Sequence, residues 1–122
     1  MDNRYNRHNR RKYSLKVHIV LVTKYHKQLP KGSIADDVKQ KILDIANTRG
    51  YEIIAIETDK DYIHFLLSYD TADRVCDTVK IVKQDTIYCL WQKYSSVLSK
   101  QYWEEKTFWS DGYFACSIGE VS

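Results

Sequence analysis

Paired cysteines, long apolar runs and a low-complexity linker are all missing from this chain. Its three cysteines, Cys76, Cys89 and Cys116, are odd in number and widely spaced, and no C-x-x-C pair offers a zinc site. A chain of 122 residues is one domain with a real but modest core, so disulfides are not needed to hold it. A reducing cytoplasm is the expected compartment. No apolar run approaches the roughly 20 residues that span a bilayer, so no membrane partner is expected. The N-terminus is basic and polar with no apolar stretch behind it, which excludes a secretory signal.

What is present is charge, distributed unevenly. The formal net charge is +3. Residues 1–31 carry nine Lys/Arg against Asp2 alone, a balance of +8, while residues 32–122 carry ten against fifteen, a balance of −5. A basic arm on an acidic body suits a polyanion partner. A solvated tail that merely keeps the protein soluble explains the arm alone equally well. The basic cluster continuing past the first strand favours binding. Residues 1–12, with Arg10, Arg11 and Lys12 at their end, read as an arm that is flexible without a partner, ahead of a domain over 13–122.

Alternation from Tyr13 to Thr23 predicts a strand, with Leu15, Val17, Ile19 and Leu21 on one face and Lys16, His18, Val20 and Val22 on the other. Lys24-Tyr25-His26-Lys27 reads as a basic, aromatic strand end. Ser33 and Asp36 resemble a capping box. Ile34, Val38, Ile42 and Ile45 then recur at helical spacing up to Gly50, a suitable C-cap. Tyr51–Glu57 and Asp61–Tyr69 read as a hairpin of two strands. A second helix is predicted from Thr71 to about Leu98, then an aromatic loop, then a strand over Tyr113–Ile118. The order β-α-β-β-α-β is an α+β, ferredoxin-like pattern with both helices on one face of an antiparallel sheet.

In the third strand, Asp61-Tyr62-Ile63-His64-Phe65-Leu66, Tyr62 and His64 share the face opposite Ile63 and Phe65. Only one histidine stands where a pair would make a convincing metal site. Tyr13-Ser14-Leu15 with His18, then Thr23-Lys24-Tyr25, resembles the first strand of the insertion-sequence 200/605 transposases. These are single-tyrosine members of the HUH (His-hydrophobic-His) nucleases. Their third strand reads Asp-His-hydrophobic-His, and Asp61-Tyr62-Ile63-His64 is similar. Phe108-Trp109-Ser110, Tyr113-Phe114-Ala115 and Ser117-Ile118-Gly119 resemble their aromatic C-terminal signature. The resemblance runs from about Tyr13 to Gly119.

That resemblance implies a small dimeric transposase acting on single-stranded DNA hairpins. In the family two histidines hold Mg²⁺ or Mn²⁺ on the scissile phosphate, and a tyrosine attacks to form a covalent link. The chain departs from the pattern at Tyr62, since a neutral phenol of pKa about 10 is a poor ligand for such ions. His64 alone is then a degenerate metal site, and no ion is expected to bind tightly. The helix bearing the nucleophile and a glutamine would begin near Gly119, and no position before Ser122 matches either residue.

Tyr62 as a displaced nucleophile is the minor reading, because in-line attack needs a geometry the old site was not built for. An aromatic stacking on a sheet face is the major one. Lys24, Tyr25, His26 and Lys27 mix charge with rings, as single-strand binding requires. Lys80 and Lys83 lie near the family's basic helix segment, and a solvated helix face accounts for them equally well. Trp91, Trp103 and Trp109 read as core or dimer-interface anchors.

Three function classes follow. The first is a cleavage-deficient transposase-like protein that binds single-stranded DNA hairpins. The second is an active metal-dependent transposase whose remaining helix lies beyond this sequence. The third is a dimeric interaction or structured-RNA-binding regulatory module.

Overall fold

A computed structural model describes residues 15–29, 32–69, 74–103 and 105–119. The expected basic arm over 1–12, with Arg10, Arg11 and Lys12, lies outside them, as does the expected start of the second helix at Thr71. The described elements are β1 (Leu15–Val22), α1 (Ser33–Arg49), β2 (Glu52–Asp59), β3 (Tyr62–Tyr69), α2 (Val75–Tyr102) and β4 (Phe114–Gly119). The strands form one antiparallel sheet in the order β2-β3-β1-β4. This is the expected α+β, ferredoxin-like arrangement.

Alternation decides the two faces. Val17, Ile19 and Leu21 of β1 and Ile63, Phe65 and Leu67 of β3 are buried. They join one apolar cluster with Val38 and Ile42 of α1 and Val79, Val82 and Leu90 of α2. Fully burying each such side chain contributes about 1.5–3 kcal/mol. His18, Val20, Tyr62, His64 and Leu66 take the opposite parity and remain half-exposed. Among the described residues no helix covers that face.

Four local features differ from the sequence expectation. Gly32, at φ 83°, caps α1, and its carbonyl accepts from the Asp36 N–H. Ser33 is the first helical residue, so the expected Ser33–Asp36 capping box does not form, and no side chain caps this end. The hairpin from β2 to β3 carries a bulge between Ile53 and Ala55. The extra residue lets Ile53 and Ile56, three apart, both pack on the core.

The third difference is in α2, which runs past Leu98 to Tyr102 but breaks at Tyr94 (φ −124°, ψ 30°). Neither proline nor glycine lies there; the Tyr94 hydroxyl instead donates to Asp37 of α1 at 2.5 Å. Finally, Lys24–His26 is a short 3-10 turn rather than a strand end. The ladder bonds run on past Val22, the Thr23 N–H donating to the Asp61 carbonyl and the Lys24 N–H to the Phe108 carbonyl, and the extended backbone is lost at Tyr25 and His26, whose φ is positive.

The expected aromatic loop is largely core. Tyr102, Phe108 and Trp109 are buried, and the Trp109 indole N–H donates to the Thr86 hydroxyl at 2.8 Å. Burial pushes the Tyr102 phenol up to about 12. Trp91 is half-buried and donates to the Thr107 carbonyl at 2.8 Å. Trp103 is 71% exposed and therefore not a core anchor. No described helix is long and apolar enough to cross a membrane.

Candidate functional site

The open sheet face places His64 on β3 opposite Glu57 of β2 and Val20 of β1. His18 lies two residues from Val20, diagonal to His64 across the β1–β3 ladder. The two rings meet: His18 Nδ1 and His64 Nε2 are 2.8 Å apart. Their centroids are 4.9 Å apart and their planes 16° from parallel. The nitrogens approach at hydrogen-bond distance, so the rings share a proton edge to edge rather than stacking face to face. One imidazole donates and the other accepts. His64 thus has a histidine partner, but on another strand from the one the sequence suggested.

Tyr62 stands at the start of β3 beside Asp59, whose carboxylate accepts from its hydroxyl at 3.4 Å. The Asp59 charge, then partial burial, pushes the Tyr62 pKa up. A phenol held in its protonated form is a weakened nucleophile and a weakened metal ligand. With Val20, Val22, Glu57 and His64 it lines a shallow depression of about 320 Å³. Mg²⁺ and Mn²⁺ want several oxygen ligands in near-octahedral array. Among the described residues no three His, Cys, Asp or Glu side chains converge to hold an ion. With one His64 nitrogen turned to His18 and a phenol at the other position, the donor set does not fit such a metal.

The basic turn is built differently. It adjoins the Tyr62 end of β3, because Asp61 accepts from Thr23 and pairs with His26 at 2.7 Å. Tyr25 is 55% exposed and, like His26, has a left-handed backbone, at φ 61° and 54°. The Lys24 ammonium and the Tyr25 hydroxyl both donate to Glu105, at 3.0 and 2.8 Å. Those bonds, Lys24 first, pull the Glu105 pKa down, and Glu105 raises those of Lys24 and Tyr25. Lys27 lies over the ring of Trp103, 5.9 Å from its centroid.

The lysines of α2 separate from this group. Lys80 is exposed on the helix. Lys83 was expected to face nucleic acid, yet its ammonium donates to the carbonyls of Ser110, at 2.8 Å, and Gly112. Burial pushes its pKa down. Its work is to tie α2 to the turn ahead of β4.

The family model described as "Transposase IS200 like" matches residues 11–122. The chain belongs to the IS200-like transposase family. The ISDra2 transposase TnpA of Deinococcus radiodurans is 30% identical over 108 residues, covering 88% of this chain and 76% of that one. The solved structure of a transposase from the same organism superposes with a TM-score of 0.78 at 29% identity, covering 88% of this chain and 82% of its own. A tyrosine transposase solved bound to a REP hairpin shares the fold, with a TM-score of 0.62 at 13% identity, over 88% of this chain and 58% of its own.

Sequence reasoning missed two residues of this IS200-like transposase. His18 could have been paired with His64, since both take the open-face parity and the predicted topology makes β1 and β3 neighbours. Trp103 carried no signal of its exposure, because loop aromatics read alike whether buried or not.

Proposed function

We propose that this IS200-like transposase binds single-stranded DNA hairpins through the Lys24–Lys27 turn and does not cleave them. The observation that carries the reading is the His18–His64 hydrogen bond, which engages one His64 nitrogen with a second side chain of the protein across the open face. The raised Tyr62 pKa supports it, since it disfavours the phenolate that a metal ligand or a displaced nucleophile would need. The solved relative that holds a hairpin makes the same class of partner natural for this fold. No divalent ion is held tightly in this reading, and Mg²⁺ or Mn²⁺ enters only if cleavage survives. The residues 1–12, with Arg10, Arg11 and Lys12, add phosphate contacts, and Lys80 extends them along α2.

The partners proposed are DNA and a second copy of the chain. β4 is a sheet edge with Phe114 64% and Ile118 43% exposed, the kind of strand that invites pairing. Free Cys76, Cys89 and Cys116 suit the reducing cytoplasm.

One experiment separates binding from cleavage. The protein is incubated with an end-labelled DNA hairpin and Mn²⁺, and resolved on native and denaturing gels. A salt-sensitive native complex with no covalent adduct is expected. An adduct lost in Tyr62→Phe would overturn the cleavage-deficient reading, and the absence of any complex at low salt would overturn binding.

A further inference from the structure

Tyr25, His26 and Trp103 are three of the four described non-glycine residues with positive φ. That backbone is unfavourable for residues with a Cβ, and strain of this kind gathers where geometry serves a ligand. Two of the three are large exposed aromatics. Trp103 ends α2 at φ 55° and ψ −123°, with most of its ring in solvent. A tryptophan held outward loses the burial energy that Trp109, six residues on, gains.

The neighbours of Trp103 have the chemistry of a nucleotide site. The Lys27 ammonium stands near its ring, where it can meet a phosphate flanking a stacked base. Tyr102, the residue before Trp103, has its ring 6.3 Å from that of Tyr25, so the turn and the helix end form one patch. Within it Glu105 accepts from an ammonium and a phenol at once. Those two donors would equally hold a phosphate oxygen. The Lys24–Glu105 ion pair is half-exposed, and such pairs are weak enough to exchange.

We propose that Trp103, backed by Lys27, is the stacking platform for one unpaired base of a single-stranded DNA, and that Glu105 fills the seat of the adjoining phosphate until DNA displaces it. The proposal rests on the DNA-binding reading above and names the nucleotide subsite within it. It also accounts for the exposure of Trp103, which neither the core nor the histidine face explains.

The test uses three probes: a DNA hairpin with a short unpaired flank, the same hairpin with abasic positions in the flank, and the blunt hairpin. Wild-type protein is expected to bind the flanked hairpin about tenfold more tightly than the abasic one. Trp103→Ala should erase that difference and leave blunt-hairpin affinity unchanged. Trp103→Tyr should keep most of it. Glu105→Gln should tighten binding to the flanked and abasic hairpins, which both keep the flank phosphate, more than to the blunt one, while the preference for bases persists. Quenching of wild-type tryptophan fluorescence by the flanked hairpin, and not by the abasic one, reads the contact without mutation. A preference that survives in Trp103→Ala, or no preference in wild type, overturns the platform. An unchanged affinity in Glu105→Gln overturns the phosphate seat. If wild type binds no hairpin at all, the parent reading fails and this one with it.

Discussion

Two regions of the molecule adjoin through Asp61 and have opposite character. On the open sheet face, His64 and Tyr62 each find a partner within the protein, and acidic Glu57 and Asp59 flank them. At the turn, Lys24, Tyr25, His26 and Lys27 project around a strained backbone beside an exposed tryptophan. Both pair their polar groups within the protein, the turn through Glu105 and Asp61, but only the turn also presents exposed aromatic rings beside ammonium groups. A nucleic acid gains little from a face whose neighbours repel phosphate. It gains from a patch where cations and aromatic faces lie together. In the proposed reading, binding belongs to the turn and not to the histidine face.

The largest expected effect removes what holds the two regions in register. Trp109 is buried, bonds Thr86 and bridges Thr23, so Trp109→Ala should cost about 3–5 kcal/mol in urea unfolding. Both the turn and the β3 end should loosen together. A loss below about 1 kcal/mol would mean the loop is no anchor for the turn.

Charge changes sharpen the contrast. Lys24→Ala with Lys27→Ala should weaken hairpin binding and flatten its salt dependence by about one to two phosphate contacts. Glu57→Gln, on the histidine face, should leave affinity unchanged or slightly higher. Equal losses from both would erase the distinction between the regions. Both are read from salt titrations of a labelled hairpin.

A pH experiment tests the frame behind them. The Tyr94 hydroxyl and then the Lys93 ammonium hold the Asp37 carboxyl below its usual range. A folded pKa below the unfolded one stabilises the fold above the unfolded value, about 3.9, and that contribution is lost as pH falls through the folded value. The melting temperature of wild type should exceed that of Asp37→Asn at pH 7, and the gap should close below about pH 4. A gap independent of pH would show that the carboxylate charge is not what joins α1 to the bend of α2.

The smallest effect belongs to the histidine pair. His18→Ala should cost about 1 kcal/mol of stability, the usual net worth of one hydrogen bond, and leave hairpin affinity unchanged. Calorimetry and the same binding assay read the two quantities.

Much of this was legible in the residues. Period-two runs such as Val17-His18-Ile19-Val20-Leu21 and the helical spacing of Ile34, Val38, Ile42 and Ile45 reflect a single local cause, burial of one face, and they carried the fold. The same alternation placed Tyr62 and His64 together on the open face, where the structure has them half-exposed. What stayed hidden depends on contacts distant in sequence. His18 and His64 are separated by 46 positions and meet only through strand register. The break at Tyr94 coincides with a hydrogen bond to Asp37 on another helix. The Lys83 ammonium looked like any surface lysine until the Ser110 and Gly112 carbonyls came beneath it.

The central claim is that the His64 face no longer holds a catalytic ion. Titrating Mn²⁺ into wild type and Tyr62→His by calorimetry tests it most directly. The account predicts no saturable binding to wild type at micromolar ion, whether or not the substitution restores it. Saturable binding to wild type that disappears in His64→Ala would contradict the account.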